Sequence, residues 1–323
     1  TTFQTIQQTL APEIKRLNDL ISATLTSPNA LMNKVVTTYL EKKGKQIRPM
    51  MVILSARLLG EVNDNVIKGA VAVELLHNAS LIHDDVVDDT RMRRDAQTIN
   101  GLWDNHLAVL VGDFFLSNSL ILASETGDIR IVESIASLVC FIGELDEIYN
   151  ARYNHLDEET YFSIIYRKTA SLFISCAEVG AAAAGETDSR RLDALREFAR
   201  LLGLCFQIKD DIFDYFPDGE IGKPTGNDLR EGKITLPLLH VLETREGEEH
   251  DRMMELARKE LLEPEEIATL IDYAVDNGGI EYACETMNRL REEACRVLRD
   301  NFPPSETLDA FISLIDFIIA RDH

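Results

Sequence analysis

The stretch "SLIHDDVVDD", residues 80–89, places four aspartates in ten positions, directly after an apolar run with helical spacing. Residues four apart lie on one face of a helix, so Asp84 and Asp88 project together, with Asp85 beside them. Like charges at this spacing destabilise an isolated helix by roughly 0.2–0.5 kcal/mol per pair. A compensating cation is therefore expected here.

A second stretch, "QIKDDIFD" at residues 207–214, repeats the spacing with Asp210, Asp211 and Asp214. Hard divalent cations take oxygen ligands, and Mg²⁺ commonly completes its shell with waters and substrate phosphates. The alternative interpretation is an acidic, solvated helix end, but two equal spacings, each behind an uncharged helical face, favour metal binding. A calcium loop is disfavoured because neither stretch has the glycine and alternating oxygen ligands of that motif.

Apolar residues recur at helical spacing along nearly all of the 323 residues, and no stretch alternates cleanly with period two. Turn-forming stretches separate candidate helices over 4–25, 29–42, 49–60, 63–90, 104–124, 128–150, 157–184, 188–215, 233–246, 250–260, 264–277, 279–300 and 305–320. No low-complexity linker or shift in composition divides the chain. We therefore predict one all-α domain over residues 1–323.

Composition limits the partners and the compartment. The chain has 33 basic and 55 acidic residues, a net charge of −22, and no basic stripe, which argues against nucleic acid and anionic membranes as partners. Its five scattered cysteines form no C-x-x-C pair and are typical of a reducing compartment. The start lacks a signal-type segment, and the apolar stretch "LFISCAEVGAAAAG" contains Glu178 and is too short to span a bilayer. We predict a soluble, cytoplasmic protein without a transmembrane segment.

Basic side chains flank both aspartate clusters, although the chain as a whole is acidic. Arg grips phosphate with a bidentate fork and Lys acts as a point charge, so this arrangement predicts a polyanion bridged by metal ions. For any one of these residues alone, an ordinary surface charge is the better interpretation. The set comprises Lys45, Arg48, Arg93, Arg94, Lys168, Lys223 and Lys233, with Thr169 beside Lys168.

Two polar residues share a helical face with the aspartates. His77 lies two turns before Asp84, and Gln207 lies three residues before Asp210. For His77, a binding role and a satisfied core position both remain open. His83 and His106 are interpreted as ordinary structural residues.

Taken together, these motifs resemble the trans-prenyltransferases, or polyprenyl diphosphate synthases, and most of all the bacterial octaprenyl-type, long-chain members. The resemblance implies an isoprenoid synthase helical bundle around a deep central cavity, usually as a homodimer. It also implies that isopentenyl diphosphate is joined head to tail to an allylic diphosphate, with release of diphosphate. The similar stretches span nearly the whole chain and are "GKQIRP" (44–49), "LIHDDVVDDTRMRR" (81–94), "LVGDFFL" (110–116), "YRKTASLF" (166–173), "CFQIKDDIFDYF" (205–216), "GKPTGNDLREGKITLP" (222–237) and "ARDH" (320–323).

The resemblance also implies roles for individual residues. The six aspartates would hold Mg²⁺, with Mn²⁺ as a possible substitute, on the allylic diphosphate; they are Asp84, Asp85, Asp88, Asp210, Asp211 and Asp214. The residues that would contact the same diphosphate are Arg93, Lys168, Thr169, Gln207, Lys223 and Lys233. Those that would hold isopentenyl diphosphate are Lys45, Arg48, His77 and Arg94.

Product length is expected to depend on the residues just before Asp84. A growing chain must run away from the metals along the helix that carries them, where Ala79 and Ser80 lie about one turn deeper. By resemblance, short-chain members close the cavity in this region with a bulky aromatic residue. Both side chains are small here, so we expect a product longer than geranylgeranyl diphosphate.

Three other functions are weighed against this one. A farnesyl or geranylgeranyl diphosphate synthase is the main alternative. A class I terpene cyclase is disfavoured because its second metal motif is usually of an Asn/Ser/Glu type, whereas this chain has "DDIFD". A catalytically silent subunit of a heteromeric synthase is disfavoured because both aspartate motifs are intact.

Overall fold

The computed structural model describes residues 2–42, 44–93, 96–151, 156–217 and 225–321, with the backbone alone over 141–151. The described chain is helical apart from one short hairpin, which confirms the all-α prediction. Its helices are α1 Phe3–Thr9, α2 Ala11–Thr24, α3 Ala30–Leu40, α4 Ile47–Leu59, α5 Asp64–Val87, α6 Ile99–Leu102, α7 Asn105–Glu125, α8 Ile129–Ala151, α9 Glu158–Ile165, α10 Ser171–Ala183, α11 Ser189–Phe213, α12 Asn227–Arg230, α13 Leu236–Thr244, α14 Glu248–Ala257, α15 Pro264–Asp276, α16 Gly279–Asn301 and α17 Glu306–Ala320.

The chain divides into two compact units. Unit 1 comprises Thr1–Ile142, Leu172–Ala199 and Leu298–Ser313, and unit 2 comprises Gly143–Ser171, Arg200–Val297 and Leu314–His323. The first aspartate cluster belongs to unit 1 and the second to unit 2. That the chain forms one domain around a deep central cavity stays a prediction.

Unit 1 is organised by helix α5, which packs most extensively against α7 and also against α4 and α2. Gly112 of α7 permits a close approach, since a Cβ there would lie 2.3 Å from the imidazole of His83 on α5. Further along the contact, the buried Ser119 hydroxyl donates to the Ala72 carbonyl at 2.6 Å. The helix that carries the first aspartates is therefore held firmly along its length.

Unit 2 has its own apolar core, in which α13 packs against α15, α14 and α9. Gly226, with a φ of 77°, begins α12 in the left-handed region that favours glycine, and a Cβ there would meet Ile267 at 2.3 Å. The buried members of this core are Tyr215, Leu229, Leu238, Val241, Leu242, Ile267, Leu270, Ile271, Tyr273 and Ala274.

Short polar side chains set several helix starts that the sequence predicts. The Asn63 side chain accepts from the Val66 N–H at 3.0 Å and begins α5. The Asp104 carboxylate accepts from the Leu107 N–H at 2.7 Å and begins α7. These N-caps satisfy backbone donors that have no partner within the helix.

The short helices α6 and α12 were not predicted, and the structure departs from the predicted helices in three further places. The predicted helix 157–184 is interrupted by a π-helix, Tyr166–Ala170, and the predicted helix 4–25 breaks at Leu10. An antiparallel hairpin was not predicted: β1 Met92–Arg93 pairs with β2 Ala96–Gln97. Strands of two residues are too short for alternation to reveal them.

Helix α7 has a property that the sequence analysis missed. Among the described residues it is the one helix long and apolar enough, by length and composition alone, to cross a membrane, and 39% of its most apolar window is buried. Phe115 and Val111 lie in the core, whereas Leu110 and Ile121 are exposed.

Candidate active site

The first aspartate cluster lies at the end of α5. Asp84 is exposed in the last helical turn, and Asp88 is exposed at the C-cap, where its N–H donates to the Asp84 carbonyl at 2.8 Å. The helix therefore ends with two exposed carboxylates one turn apart.

Asp85 is buried beside them, at 6% exposure, and is paired with a cation. Its Oδ1 accepts from Nε of Arg93 at 2.9 Å and from Nη2 at 2.7 Å. The hairpin β1–β2 returns the chain to α5, and the Thr90 N–H and the Asn100 side chain both donate to the Asp85 carbonyl. Burial raises the pKa of Asp85, and the hydrogen bonds from Arg93 oppose that rise. Arg93, predicted to contact diphosphate, thus holds Asp85 in place.

The second cluster lies at the end of α11, where its first carboxylate is paired with an arginine distant in sequence. Nη2 of Arg321 donates to Oδ1 of Asp210 at 2.5 Å and to the Phe206 carbonyl at 3.0 Å. The guanidinium also lies 4.1 Å from the centre of the Phe206 ring. Asp210 is half-buried, and Arg321 is held at three points around it.

Asp211 is buried and accepts hydrogen bonds from neutral side chains. The Tyr161 hydroxyl donates to Oδ2 at 2.6 Å, and Nε2 of Gln207 donates to Oδ1 at 2.8 Å. Burial, together with the nearby charge of Asp228, raises the pKa of Asp211 to about 7, although these hydrogen bonds and Lys168 oppose the rise.

Asp214 lies just beyond α11 and joins it to the following short helix. Its Oδ1 accepts from the Asn227 N–H at 3.0 Å and its Oδ2 from the Asp228 N–H at 2.8 Å. The Gly226 N–H donates to the Asp214 carbonyl at 2.9 Å. Asp214 therefore caps the first turn of α12 with both carboxylate oxygens.

Two residues predicted to contact the allylic diphosphate meet within unit 2. The buried Thr169 hydroxyl donates to Oε1 of Gln207 at 2.5 Å, although the two are far apart in the sequence. Thr169 belongs to the π-helix, and such insertions occur frequently at functional sites. Lys168, exposed beside Thr169, is close enough to Asp211 to lower its pKa.

The other predicted substrate-binding residues differ in their contacts and in their exposure. The Lys233 ammonium lies 2.5 Å from Oε2 of Glu231, and the Arg48 guanidinium lies 5.1 Å from the centre of the Phe173 ring. Lys45 is exposed just before α4, and His77 is half-buried on α5. Arg94 and Lys223 lie outside the described residues. The diphosphate roles of all these residues stay predictions.

The two predicted chain-length residues differ in burial. Ala79 is buried in α5, whereas Ser80 is half-buried and its hydroxyl donates to the His77 carbonyl at 2.7 Å. A larger side chain is therefore accommodated more easily at Ser80 than at Ala79.

The donor chemistry fits hard divalent ions that are also held by substrate. Within the described ranges, no three His, Cys, Asp or Glu side chains are gathered closely enough to hold a metal ion by themselves. The exposed or half-buried carboxylates of Asp84, Asp88 and Asp210 are nevertheless the hard oxygen donors that Mg²⁺ prefers. Mg²⁺ usually takes only one or two protein carboxylates and completes its shell with waters and phosphates.

Sequence reasoning missed two residues whose side chains donate to the aspartate carboxylates. Tyr161 had no signal because a buried tyrosine on an apolar helical face is usual in a core. Arg321 lies in the "ARDH" stretch that contributed to the resemblance, but nothing in the spacing pointed to Asp210 as its partner.

Comparison with known proteins assigns the family. The family model described as polyprenyl synthetase matches residues 29–274. Octaprenyl diphosphate synthase of Haemophilus influenzae is 34% identical over 323 residues, which cover 98% of this chain and 97% of that protein.

Two solved structures show the same fold over the full length. A decaprenyl diphosphate synthase from Rhodobacter capsulatus superposes with a TM-score of 0.90 at 31% identity, covering 98% of both chains. A polyprenyl synthase from Caulobacter crescentus CB15, complexed with calcium and isoprenyl diphosphate, gives a TM-score of 0.90 at 32% identity, covering 100% of this chain and 98% of that one. The chain therefore belongs to the polyprenyl synthetase family.

Proposed function

We propose that this chain is a trans-prenyltransferase that condenses isopentenyl diphosphate head to tail with an allylic diphosphate to give a long-chain, all-trans polyprenyl diphosphate. The observation that carries the proposal is the contact between Thr169 and Gln207 beside Asp211. Three residues assigned to one diphosphate site, from two separate motifs, are joined by hydrogen bonds. The octaprenyl and decaprenyl names of the full-length relatives support a long-chain product.

The reaction requires that diphosphate leave an allylic carbon. The C1–O bond breaks and diphosphate takes the electron pair. The double bond of isopentenyl diphosphate then forms the new C–C bond, and the resulting cation loses a proton to the departing diphosphate. Mg²⁺, when bound, neutralises charge that develops on the departing diphosphate. The relative with calcium and isoprenyl diphosphate supports a divalent metal in this role.

The chain's own residues bind and orient the substrates. Lys168 and Lys233 supply fixed positive charge for the allylic diphosphate, and the Gln207 amide supplies a hydrogen-bond donor. Lys45, Arg48 and His77 hold isopentenyl diphosphate, the second substrate. Preorganised donors of this kind favour the transition state because they need no rearrangement as charge develops.

A turnover assay tests the proposed function. The purified chain is incubated with Mg²⁺, isopentenyl diphosphate and farnesyl diphosphate as allylic primer, and the products are separated by chromatography. We expect chain extension beyond geranylgeranyl diphosphate, lost in EDTA and restored by Mg²⁺. Products that stop at farnesyl or geranylgeranyl length from shorter primers would identify the short-chain alternative, and cyclic hydrocarbons without use of isopentenyl diphosphate would identify a cyclase.

Substitutions before Asp84 test the product length. Ala79→Tyr and Ser80→Phe are each expected to shorten the product, because a bulky ring obstructs the path of the growing chain. Lys68→Tyr, on the same helix but remote from the aspartates, serves as the control and should leave the product unchanged. An unchanged product distribution in both test variants would show that the small side chains at these two positions do not determine product length.

We also propose that the chain forms a homodimer through the exposed face of α7. Leu110 and Ile121 are 59% and 53% exposed and lie eleven residues apart, about three helical turns, on one face. The opposite face of α7 packs on α5. The exposed face of α7 also carries Asp113, which faces solvent. A charged side chain is costly inside a membrane, so this face fits a second copy of the chain better than lipid.

The dimer is tested by the molar mass in solution. Light scattering after size-exclusion chromatography should give twice the chain mass, and Leu110→Lys with Ile121→Lys should give the monomer. Leu261→Lys, at an exposed leucine in unit 2, is the control. A monomeric wild-type chain would overturn this assignment.

The compartment is proposed from the cysteines. All five, which fall in the described ranges, are free thiols, as expected in the reducing cytoplasm. Cell fractionation tests this, and recovery with the membrane fraction would contradict it.

A further inference from the structure

Four side chains of unit 2 form a continuous chain of hydrogen bonds that ends at a residue outside every predicted site. The Tyr161 hydroxyl donates to Asp211, Gln207 donates to the other oxygen of Asp211, and Thr169 donates to Gln207, at 2.6, 2.8 and 2.5 Å. Tyr161, Asp211 and Thr169 are each only 5% exposed. In such a dry environment each bond is strengthened, and each broken bond is costly.

The π-helix explains how both ends of this series of hydrogen bonds, Tyr161 and Thr169, reach α11. An α-turn takes 3.6 residues, and a π-turn takes about one residue more, so eight residues across the two make about two turns. Tyr161, on α9, and Thr169, within the π-helix Tyr166–Ala170, are eight residues apart. Both therefore lie on the face directed at Asp211 and Gln207, which are one turn apart on α11. Without the inserted residue, Thr169 would be rotated away.

The chain of bonds also fixes the orientation of the Gln207 amide. Asp211 accepts from Nε2, so Oε1 is directed at the Thr169 hydroxyl, which donates to it. A glutamine amide has two N–H donors, and this arrangement engages one of them with Asp211. Among the residues that the structure describes, no hydrogen bond is seen to the second, which leaves it as a donor for a ligand. The Tyr161 hydroxyl donates to Oδ2 of Asp211, so it holds the carboxylate from the side opposite to Gln207.

We propose that Tyr161 is a positioning residue for the allylic diphosphate site: its hydroxyl fixes Asp211, and Asp211 in turn orients the amide of Gln207 toward the diphosphate. The inference rests on the proposed function, because it takes Gln207 as a ligand of that diphosphate. Tyr161 itself touches no substrate. Its removal is expected to weaken the allylic site alone.

The test uses Tyr161→Phe, which deletes only the hydroxyl. Binding of an unreactive allylic thiolodiphosphate is measured by calorimetry with Mg²⁺, and KM is measured for both substrates. We expect the Kd of the analogue and the allylic KM to rise about fivefold, the size of one lost hydrogen bond, with the isopentenyl KM unchanged. The matched control is Tyr282→Phe, which removes a hydroxyl bonded to a different carboxylate of unit 2, Glu158, at 3.0 Å.

A second background separates positioning from a general loss of structure. If Tyr161 acts through the Gln207 amide, Tyr161→Phe should change the Kd of the analogue less than about twofold when Gln207→Leu is already present. In the substrate-free protein, the side-chain amide resonance of Gln207 should broaden or shift in Tyr161→Phe and stay in place in Tyr282→Phe. This measurement reports on the amide even if the variant is less stable.

Three results would overturn the inference: an unchanged Kd in Tyr161→Phe, equal rises in KM for both substrates, or an undiminished effect in the Gln207→Leu background. If the wild-type chain extends an allylic primer and Tyr161→Phe behaves like wild type, only the positioning role is refuted. A wild-type chain that neither binds the analogue nor extends a primer refutes the proposed function and the inference with it.

Discussion

The two aspartate clusters share one spacing but have different surroundings. In the first, the middle carboxylate, Asp85, is paired with the charged Arg93, whereas Asp84 and Asp88 are exposed. In the second, the middle carboxylate, Asp211, accepts from the neutral Tyr161 and Gln207. Equal spacing along a helix sets which residues share a face, and the elements packed against that face set the charge state of each carboxylate.

The outer aspartates of the two clusters differ as well. Asp210 is paired with Arg321, and Asp214 caps α12, so the second cluster is tied to its own unit by side-chain contacts at every position. Asp84 and Asp88 are exposed. The first cluster is thus the more open to incoming cations, and the second is the more integrated into the fold.

The largest expected effect is shared by both clusters. Asp84→Asn and Asp210→Asn should each lower kcat by roughly a hundredfold or more, because a metal ligand contributes several kcal/mol of charge stabilisation in the transition state. Steady-state kinetics at saturating Mg²⁺ measure this. Asp89→Asn is the control, since Asp89 lies next to the cluster and pairs with Arg91 on the surface. Full activity in Asp210→Asn alone would confine the metal chemistry to the first cluster.

The second prediction concerns pH and separates the middle aspartates. The pKa of Asp211 rises from the usual 3.8 to about 7 in the folded protein, so the folded state binds this proton more tightly. Its stabilising contribution is complete below pH 4 and is lost as the pH rises through about 7. The slope in that window approaches about 1.4 kcal/mol per pH unit.

Urea unfolding in EDTA measures that slope as a difference between two proteins. Asp211→Asn has no carboxyl group to titrate, so the free energy of unfolding of wild type minus that of the variant should fall between pH 4 and 7 and then level off. A difference that rises with pH would show that the hydrogen bonds from Tyr161 and Gln207 outweigh burial.

The sequence predicts those features of the site that depend on neighbouring residues, and not those that depend on residues distant in the sequence. The aspartates, and the helix ends that carry them, follow from local spacing and from caps such as Asn63. The partners of Asp85 and Asp211 do not, because a two-residue strand and a single π-turn determine them. The two-residue strand is too short to show alternation, and the π-turn shifts the helical pattern by about one residue, so hydrophobic periodicity resolves neither.

Arg321 shows the same limit at long range. Its pairing with Asp210 depends on how α17 ends beside α11, and the sequence contains no pattern that links the two. The resemblance drew attention to "ARDH", but the contact itself is a product of tertiary packing.

The third prediction contrasts a charged with a neutral partner. Asp85→Asn leaves Arg93 without its anion, and because Arg93 is 40% exposed, solvent offsets part of the loss. We expect the free energy of unfolding at pH 8 to fall by about 1–2 kcal/mol. Asp211→Asn at the same pH should be neutral or stabilising, because it removes a buried charge whose hydrogen-bond partners are both neutral. Equal losses in the two variants would show that the partner's charge does not matter.

The smallest effect separates the outermost aspartates. Asp214→Ala removes the acceptor for the Asn227 and Asp228 N–H groups and should lower the free energy of unfolding by about 1 kcal/mol, as for a lost N-cap. Asp88→Ala, at an exposed C-cap, should change it by less than about 0.5 kcal/mol. Hydrogen exchange of the amides at 227 and 228 localises the change, since both should exchange faster only in Asp214→Ala. Asp214→Asn keeps one side-chain oxygen as an acceptor and should recover about half of the loss. If both alanine variants are equally stable, the hydrogen bonds from Asp214 to α12 contribute no stability. The outermost aspartates of the two clusters would then not differ in how strongly the fold holds them.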